Sequence, residues 1–530
     1  MSKYRYPTWF GLLTALMLLI MTTVMICVQS PVRGSVSIDL RSTSWLSTAS
    51  PDDTATFLLG LVDNGTTAQL TQTGMIADRQ LRRMLVDELL TARATRNEQA
   101  LHAALQTYGV EDHVHNIQIF RAANGLALTT DRQTILALQE WPALRSITLD
   151  VPFTMNASSF APVSASSNEW HIIKIGADKV WDEFQVTGSG VLVASIDSGA
   201  RYTHEILKDN YKCAGQSDHS ACWKDAQGNA TAPTDSVGHG THTLGLMAGS
   251  KGIGVAPGVK WIACRAGSPG EFQTCADWIL KPGGNAANAP DVVNNSWGLQ
   301  DNDSTLLKDV IDSWRAVGIV PVFAVGNSGS GCSTVDAPGG YTNVIGVGAT
   351  DQNDTLWSQS SRGPSAFDNA IKPDLVAPGT DLRSASNTSD TEYATHSGTS
   401  GASPIVAGVV ALLRQVKPDI TVDQVTSNLK NNALSVSASE CSSSGSPNNL
   451  YGWGRVQAYE SVKAAKNDTS ATSTPTTGAA TSTPTATIAP AATSTPTATI
   501  APAATGTPTR PPFPTQPPFP TQPSFPTPRR

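Results

Sequence analysis

The chain has 530 residues, 40% of them apolar, and its 36 basic against 43 acidic residues leave a formal charge of -7. That length exceeds the need of one small domain, and the apolar share is enough for a large core. Charge this balanced, without long single-sign blocks over the central part, argues against nucleic acid or an anionic membrane surface as partner.

Residues 1–30 begin with Lys3 and Arg5 and continue as an uncharged run from Trp9 to Val28, which reads as an export segment. The run is long for a signal peptide and close to the length of a spanning helix. The expectation is a cleaved signal peptide, with an uncleaved anchor as the alternative, in which case the chain would be held at the membrane and the cell surface. Residues 35–150 carry an apolar run at Thr56 to Val62, a long helical pattern through Leu81, Leu85, Leu89, Leu101 and Leu105, and a strand-like stretch from Val114 to Phe120. A second helix, Arg132 to Leu138, precedes Leu144 to Val151. Strand, helix, strand, helix, strand predicts a small α+β domain. Residues 151–169 are rich in Ser, Ala and Pro and read as a linker or processing region.

From residue 170 to 466 short β-branched runs alternate with helical patterns. Val191 to Ile196, Val292 to Asn295, Ile319 to Val325 and Val344 to Val347 are the expected strands, with a helix over Ser304 to Val317 among them. Continuous apolar strands are covered on both faces, so the fold class is α/β with a mostly parallel sheet flanked by helices. Residues 467–530 turn abruptly to Thr, Pro, Ala and Ser, with the twelve residues at 481–492 repeated at 493–504. A composition of this kind cannot bury a core, and it predicts a disordered, extended stalk with a composition suited to O-glycosylation.

Cys27 lies in the export segment, which leaves Cys213, Cys222, Cys264, Cys275, Cys332 and Cys441. An even number in an exported chain points to disulfides. Proximity favours Cys213 with Cys222 and Cys264 with Cys275, with Cys332 and Cys441 pairing by elimination; buried free thiols are the alternative.

Three segments carry chemistry: Ser195-Ile196-Asp197-Ser198-Gly199 at a strand end, Gly238-His239-Gly240-Thr241-His242, and Ser397-Gly398-Thr399-Ser400-Gly401-Ala402-Ser403-Pro404. A serine hydroxyl becomes a nucleophile when a histidine takes its proton, and the histidine keeps the needed tautomer when a carboxylate accepts its other N–H. Asp197, His239 and Ser400 fit these roles. The order Asp, His, Ser excludes an α/β-hydrolase, which runs Ser, acid, His around a Gly-x-Ser-x-Gly turn. No histidine follows Ser400, and Ala402 stands where that turn needs Gly.

These segments resemble the subtilisin-like serine peptidases over about residues 170 to 465. Asn294-Asn295-Ser296-Trp297-Gly298, the run from Pro321 to Gly329, Ser360 to Ser365 and Asn448 to Arg455 are similar to the bacillopeptidase F branch of that family. The resemblance implies a secreted endopeptidase acting on polypeptides through an acyl-enzyme. It places the side-chain amide of Asn327 in the oxyanion hole, and Ser296, Trp297 and Gly298 on the edge that pairs with the substrate main chain. It also makes residues 35–150 a self-removed propeptide that inhibits the enzyme until it is cut away. In Thr334-Val335-Asp336-Ala337-Pro338-Gly339 it puts Asp336 at the floor of the main specificity pocket, where Gly is usual, and so implies a preference for Lys or Arg before the cleaved bond; the alternative is a carboxylate turned to solvent or to a loop donor. Gly401 and Ile405 replace the family's usual Met and His, neither of which does chemistry.

The chemistry calls for no cofactor, and the enzyme is expected to be a monomer. Calcium is frequent in the family, but Asp351 and Asp354 reproduce no ligand spacing, so calcium ligands stay unassigned. His239 and His242 lack companions at zinc-ligand spacing, so His242 reads as structural, and His204, His219 and His396 as surface or hydrogen-bonded residues. Asn229, Asn353 and Asn387 open Asn-x-Ser/Thr sequons.

Overall fold

The computed structural model describes residues 35–153, 168–299 and 301–468. The expectations for residues 1–30, for most of the linker and for the Thr/Pro-rich tract lie outside the described residues.

The N-terminal residues form a five-stranded sheet from β1 (Ser37–Ile38), β2 (Thr54–Leu61), β3 (Val114–Phe120), β4 (Gly125–Asp131) and β5 (Leu144–Leu149), in the order β1-β5-β2-β4-β3. Two of these strands, β1 and β4, and the helices Leu40–Thr48 and Thr66–Gly74 escape the sequence pattern. β4 is central, paired with β2 on one side and β3 on the other. Its sequence, Gly-Leu-Ala-Leu-Thr-Thr-Asp, shows little apolar bulk because Gly125 and Ala127 allow close approach. Phe57, Leu59 and Leu61 of β2 face a core built with Leu101 and Leu105 of the helix Arg79–Tyr108 and Ile135 and Leu138 of the helix Arg132–Leu138. Leu58 points the other way, into the main core of the molecule. Strands buried on both faces lose the alternation that marks a half-exposed strand.

The second sheet has seven strands, β6 (Leu192–Asp197), β7 (Trp223–Asp225), β8 (Lys260–Arg265), β9 (Val292–Asn295), β10 (Val320–Ala324), β11 (Ile345–Thr350) and β12 (Leu375–Pro378). Its order is β12-β11-β10-β9-β6-β8-β7, and every pairing is parallel. The antiparallel pair β13 (Leu382–Ala385) and β14 (Tyr393–His396) stands apart. The apolar helix Thr399–Val416 is buried along nearly its whole length. The helix expected over Ser304 to Val317 spans Lys308–Ala316, because Ser304 and Thr305 are irregular and Leu306 and Leu307 form a turn. Chain order reverses between β6 and β9, and the crevice at the carboxyl ends of such neighbouring strands is where parallel sheets hold their ligands.

Cys213 is joined to Cys222 and Cys264 to Cys275, the pairs that proximity along the chain favours, and Cys332 to Cys441, the pair expected by elimination.

Candidate active site

β6 ends on Asp197 and β9 runs into Ser296, so both residues sit at the carboxyl edge of the crevice. His239 opens the helix His239–Ala248. Gly238 before it adopts φ +94°, and a Cβ there would lie 2.6 Å from Asn387 Oδ1, so only glycine fits the turn. His239 Nδ1 stands 2.7 Å from Asp197 Oδ1, and since an ionised carboxylate only accepts, the ring nitrogen donates. The same oxygen accepts the Ser198 amide at 2.7 Å, while Asp197 Oδ2 accepts Thr243 Oγ1 at 3.2 Å. Burial pushes the His239 imidazole down, but the charge and hydrogen bond of Asp197, helped by Asp235, outweigh it and leave His239 above its ordinary value.

Asp235 has no place in the motif reading. Its Oδ1 accepts the amides of Val237 and Gly238 and the hydroxyl of Ser198, and its Oδ2 accepts the amide and hydroxyl of Thr241. One carboxylate thereby ties the turn before His239 to the residue after Asp197. An acidic residue just before a helix start is the signal that points to such capping.

Ser400 is the second residue of the helix Thr399–Val416, whose N-terminal amides put positive potential beside it. A Cβ on Gly398 would lie 3.1 Å from Ser400 Oγ and 3.5 Å from Asn327 Nδ2, so a bare backbone separates nucleophile from amide. Asn327 Oδ1 accepts the Thr399 amide at 3.0 Å and the Thr399 hydroxyl at 2.8 Å, which fixes the amide with Nδ2 beside Gly398. Ser296 donates its hydroxyl to Ser400 O at 2.8 Å, and Ser403 Oγ donates to Asn294 Oδ1 at 2.8 Å, fastening this helix to the end of β9. No hydrogen bond joins His239 to Ser400 among the described residues; bonds of this kind tighten when substrate closes the site.

Trp297 buries its ring and donates Nε1 to Ile196 O at 2.9 Å. Among the described residues the backbone N–H and C=O groups of Ser296, Trp297 and Gly298 make no backbone hydrogen bond, so this edge has unspent donors and acceptors. Across from it the Phe153 amide donates to Gly267 O at 2.9 Å, and the Phe153 ring stacks on Phe272 at 5.0 Å, which in turn stacks on Trp297 at 3.7 Å. The end of the N-terminal unit therefore enters the crevice. Phe153, Gly267 and Phe272 were invisible to motif reading because only the fold brings them together.

Asp336 lies against Gly298, where a Cβ would meet Asp336 Cβ at 2.6 Å and Oδ2 at 3.0 Å, and it also borders Gly326. Two glycines thus wall a slot that the carboxylate occupies. Among the described residues no donor reaches that carboxylate. Burial, together with the charge of Asp301, pushes it up to about 6.

His242 Nε2 reaches Leu382 O at 2.9 Å and Ala394 O at 3.2 Å, and its ring packs against His396 at 4.2 Å, a structural role. Asp351 accepts the amides of Asn353 and Thr355, and Asp354 pairs with Lys174 and Arg455, so local donors and cations engage both.

A histidine braced by a buried carboxylate, a serine at a helix N-terminus and a side-chain amide beside it, all at the carboxyl edge of a parallel sheet, make up the equipment of a serine endopeptidase of the subtilisin type. Residues 188–454 match the model of the Subtilase family. Bacillopeptidase F of Bacillus subtilis (strain 168) is 32% identical over 416 residues, covering 72% of this chain but only 29% of that protein. Serine protease AprX of the same organism is 34% identical, over 52% of this chain and 67% of its own length, and subtilisin Savinase of Lederbergia lenta is 32% identical over 56% of this chain and its own full length. The chain belongs to the subtilase family.

Proposed function

We propose that the chain is an exported zymogen that hydrolyses peptide bonds in proteins with Asp197, His239 and Ser400 as its triad and Asn327 as oxyanion donor. The observation that carries this is the buried 2.7 Å contact of His239 with Asp197 beside a serine and an amide that converge on Gly398. Ser400 Oγ attacks the substrate carbonyl and gives its proton to His239 Nε2. The negative oxygen of the tetrahedral intermediate is held by Asn327 Nδ2 and the Ser400 amide. His239 then returns the proton to the leaving amine, and water, activated by the same imidazole, hydrolyses the acyl-enzyme. The substrate lies as an added strand on Ser296, Trp297 and Gly298. Asp336 selects Lys or Arg, because a partly buried carboxylate without a donor gains a partner from a cationic side chain and none from an apolar one.

Residues 35–150 act as propeptide and intramolecular inhibitor. Phe153, paired with Gly267 across from the Ser296 to Gly298 edge and stacked through Phe272 toward Trp297, supports this, since it occupies the crevice beside the edge a bound substrate needs. The charged start and uncharged run of residues 1–30 support export, and the Thr/Pro-rich tract supports a stalk at the surface or outside the cell. The reaction needs no cofactor and no second copy of the chain.

The test is a fluorophosphonate probe applied to wild type and Ser400→Ala, with N-terminal sequencing of each. Wild type is expected to label and to lose residues 35–150, and the variant to do neither. Absence of labelling in folded, processed wild type would refute the triad, and efficient propeptide release from purified Ser400→Ala would refute self-processing.

A further inference from the structure

Asn327 and Asp336 sit at the two ends of one exposed loop. The loop is pinched at its base, where the Asp336 amide donates to Val325 O at 2.9 Å. Beyond that pinch little packing holds it: Asn327, Ser328, Ser330, Gly331, Cys332 and Ser333 are exposed. Its other ties are hydrogen bonds: Asn327 Oδ1 accepts the Thr399 amide and hydroxyl, Asn302 Nδ2 donates to Ser333 O, and several more run to residues 359–363. Ser361 donates its amide to Gly326 O and its hydroxyl accepts the Ser328 amide; the amides of Gly329, Ser333 and Thr334 donate to the carbonyls of Gln359, Gly363 and Arg362. Residues 359–363 are fastened in turn to the segment around Cys441, through the Gly363 amide to Asn449 O at 2.9 Å and Arg362 Nη1 to Glu440 at 3.0 Å. Asn449 Nδ2 also donates to Cys441 O at 2.8 Å. The disulfide Cys332–Cys441 closes this stack from outside, joining positions 109 residues apart.

Hydrogen bonds on an exposed loop exchange readily with water, and a covalent bond does not. Cys332 stands five residues after Asn327 and four before Asp336, near the middle of the stretch that must be held. We propose that Cys332–Cys441 is a positioning device that sets the oxyanion amide and the specificity carboxylate together, so that opening it costs turnover and side-chain selectivity at once. The proposal rests on the roles given above to Asn327 and Asp336. The other two bridges have no such place. Cys213–Cys222 and Cys264–Cys275 are buried near β7 and β8, away from this loop, whereas Cys332 faces solvent.

The test compares Cys332→Ser/Cys441→Ser with Cys213→Ser/Cys222→Ser in the full chain, using matched Arg, Lys, Phe and Leu peptides. Both variants are expected to lose thermal stability. Only the first is expected to lose about tenfold or more in kcat and to narrow the spread of kcat/KM across the four peptides by a similar factor, since a displacement of about 1 Å at a catalytic group has effects of that order. If the Cys332 variant does not fold, a dilute dithiol reductant replaces it: the reagent is oxidised as it opens the exposed bridge to two thiols, which alkylation and peptide mapping then locate. Wild-type kcat and wild-type spread with this bridge open would overturn the proposal. A wild type without probe labelling would instead overturn the triad, and a wild type with no preference for Arg or Lys would overturn Asp336 alone, the bridge then being judged on kcat and on the Phe to Leu ratio.

Discussion

Asp197 Oδ1 and His239 Nδ1 are 2.7 Å apart inside the protein, and the imidazole is held above its ordinary pKa because the carboxylate outweighs a burial that by itself would lower it. His239 must be neutral to accept the Ser400 proton, so activity is lost as the pH falls through this raised value. The acidic limb of kcat/KM is therefore expected above the ordinary imidazole range. Asp197→Asn should lower kcat by about 10⁴, the scale known for this substitution in a serine protease triad, and move the residual limb to lower pH. A pH profile of both enzymes checks this; an unmoved limb would assign it to another group.

Asp336 supplies a second titration, its effect also lost as the pH falls. Burial first, and the charge of Asp301 second, push its carboxyl up to about 6. Above that value it is charged and, in the proposed role, should favour Lys and Arg; below it the slot is neutral and the preference should fade. The ratio of kcat/KM for Arg and Leu peptides should rise with pH through about 6 in wild type. In Asp336→Gly the ratio should be about 10- to 100-fold lower and flat with pH, as expected when a specific charge partner is removed. The same ratio in both enzymes would refute the role of Asp336.

The N-terminal unit is gripped through Asp277, which accepts the backbone amides of Arg121 at 2.9 Å and Ala122 at 2.6 Å. Around it Arg79 pairs with Asp291, Arg145 with Asp309, and Lys281 with Asp87, while Arg83 donates to the carbonyls of Ala287 and Pro290. Asp277→Ala leaves two amides without their acceptor, at a cost of about 1–3 kcal/mol. The delay between propeptide cleavage and full activity should shorten by roughly 5- to 150-fold, with kcat/KM of the mature enzyme unchanged. A delay equal to that of wild type would show that Asp277 does not contribute to inhibition.

The helix Ala458–Asn467 packs Ala458, Val462 and Ala465 into the main core, and Lys417 pairs with Asp468 at 2.6 Å. Truncation after Asp468 keeps these contacts and removes only residues poor in bulky apolar side chains. Melting temperature and peptide turnover should stay at wild-type values, within about 2 °C for the former. A fall of about 10 °C would mean the tail stabilises the folded part.

How much was legible in the sequence differs from residue to residue. The segments around Asp197, His239 and Ser400 announce themselves because each expected role needs a particular side chain beside a particular turn, and both requirements are local, whereas Asn327 came from the family resemblance. The parallel sheet was readable from four short β-branched runs, since strands covered on both faces must be apolar throughout. Two disulfides followed from spacing because nearby cysteines meet at little cost in chain entropy, and the third, between positions 109 residues apart, only by elimination. Other features depend on residues far apart in the chain. β4 hides in a run of small residues and threonines that becomes a strand only between β2 and β3. Asp235 looks like any loop acid until its five hydrogen bonds are seen, and the slot around Asp336 exists only because Gly298 and Gly326 arrive from different strand ends. The pairing of Phe153 with Gly267, and the grip of Asp277 on Arg121 and Ala122, join residues more than a hundred positions apart. Chemistry and periodicity were written locally; the contact of Phe153 with Gly267, the raised carboxyl of Asp336 and the bracing of His239 arise from burial and proximity, which are properties of the folded chain alone.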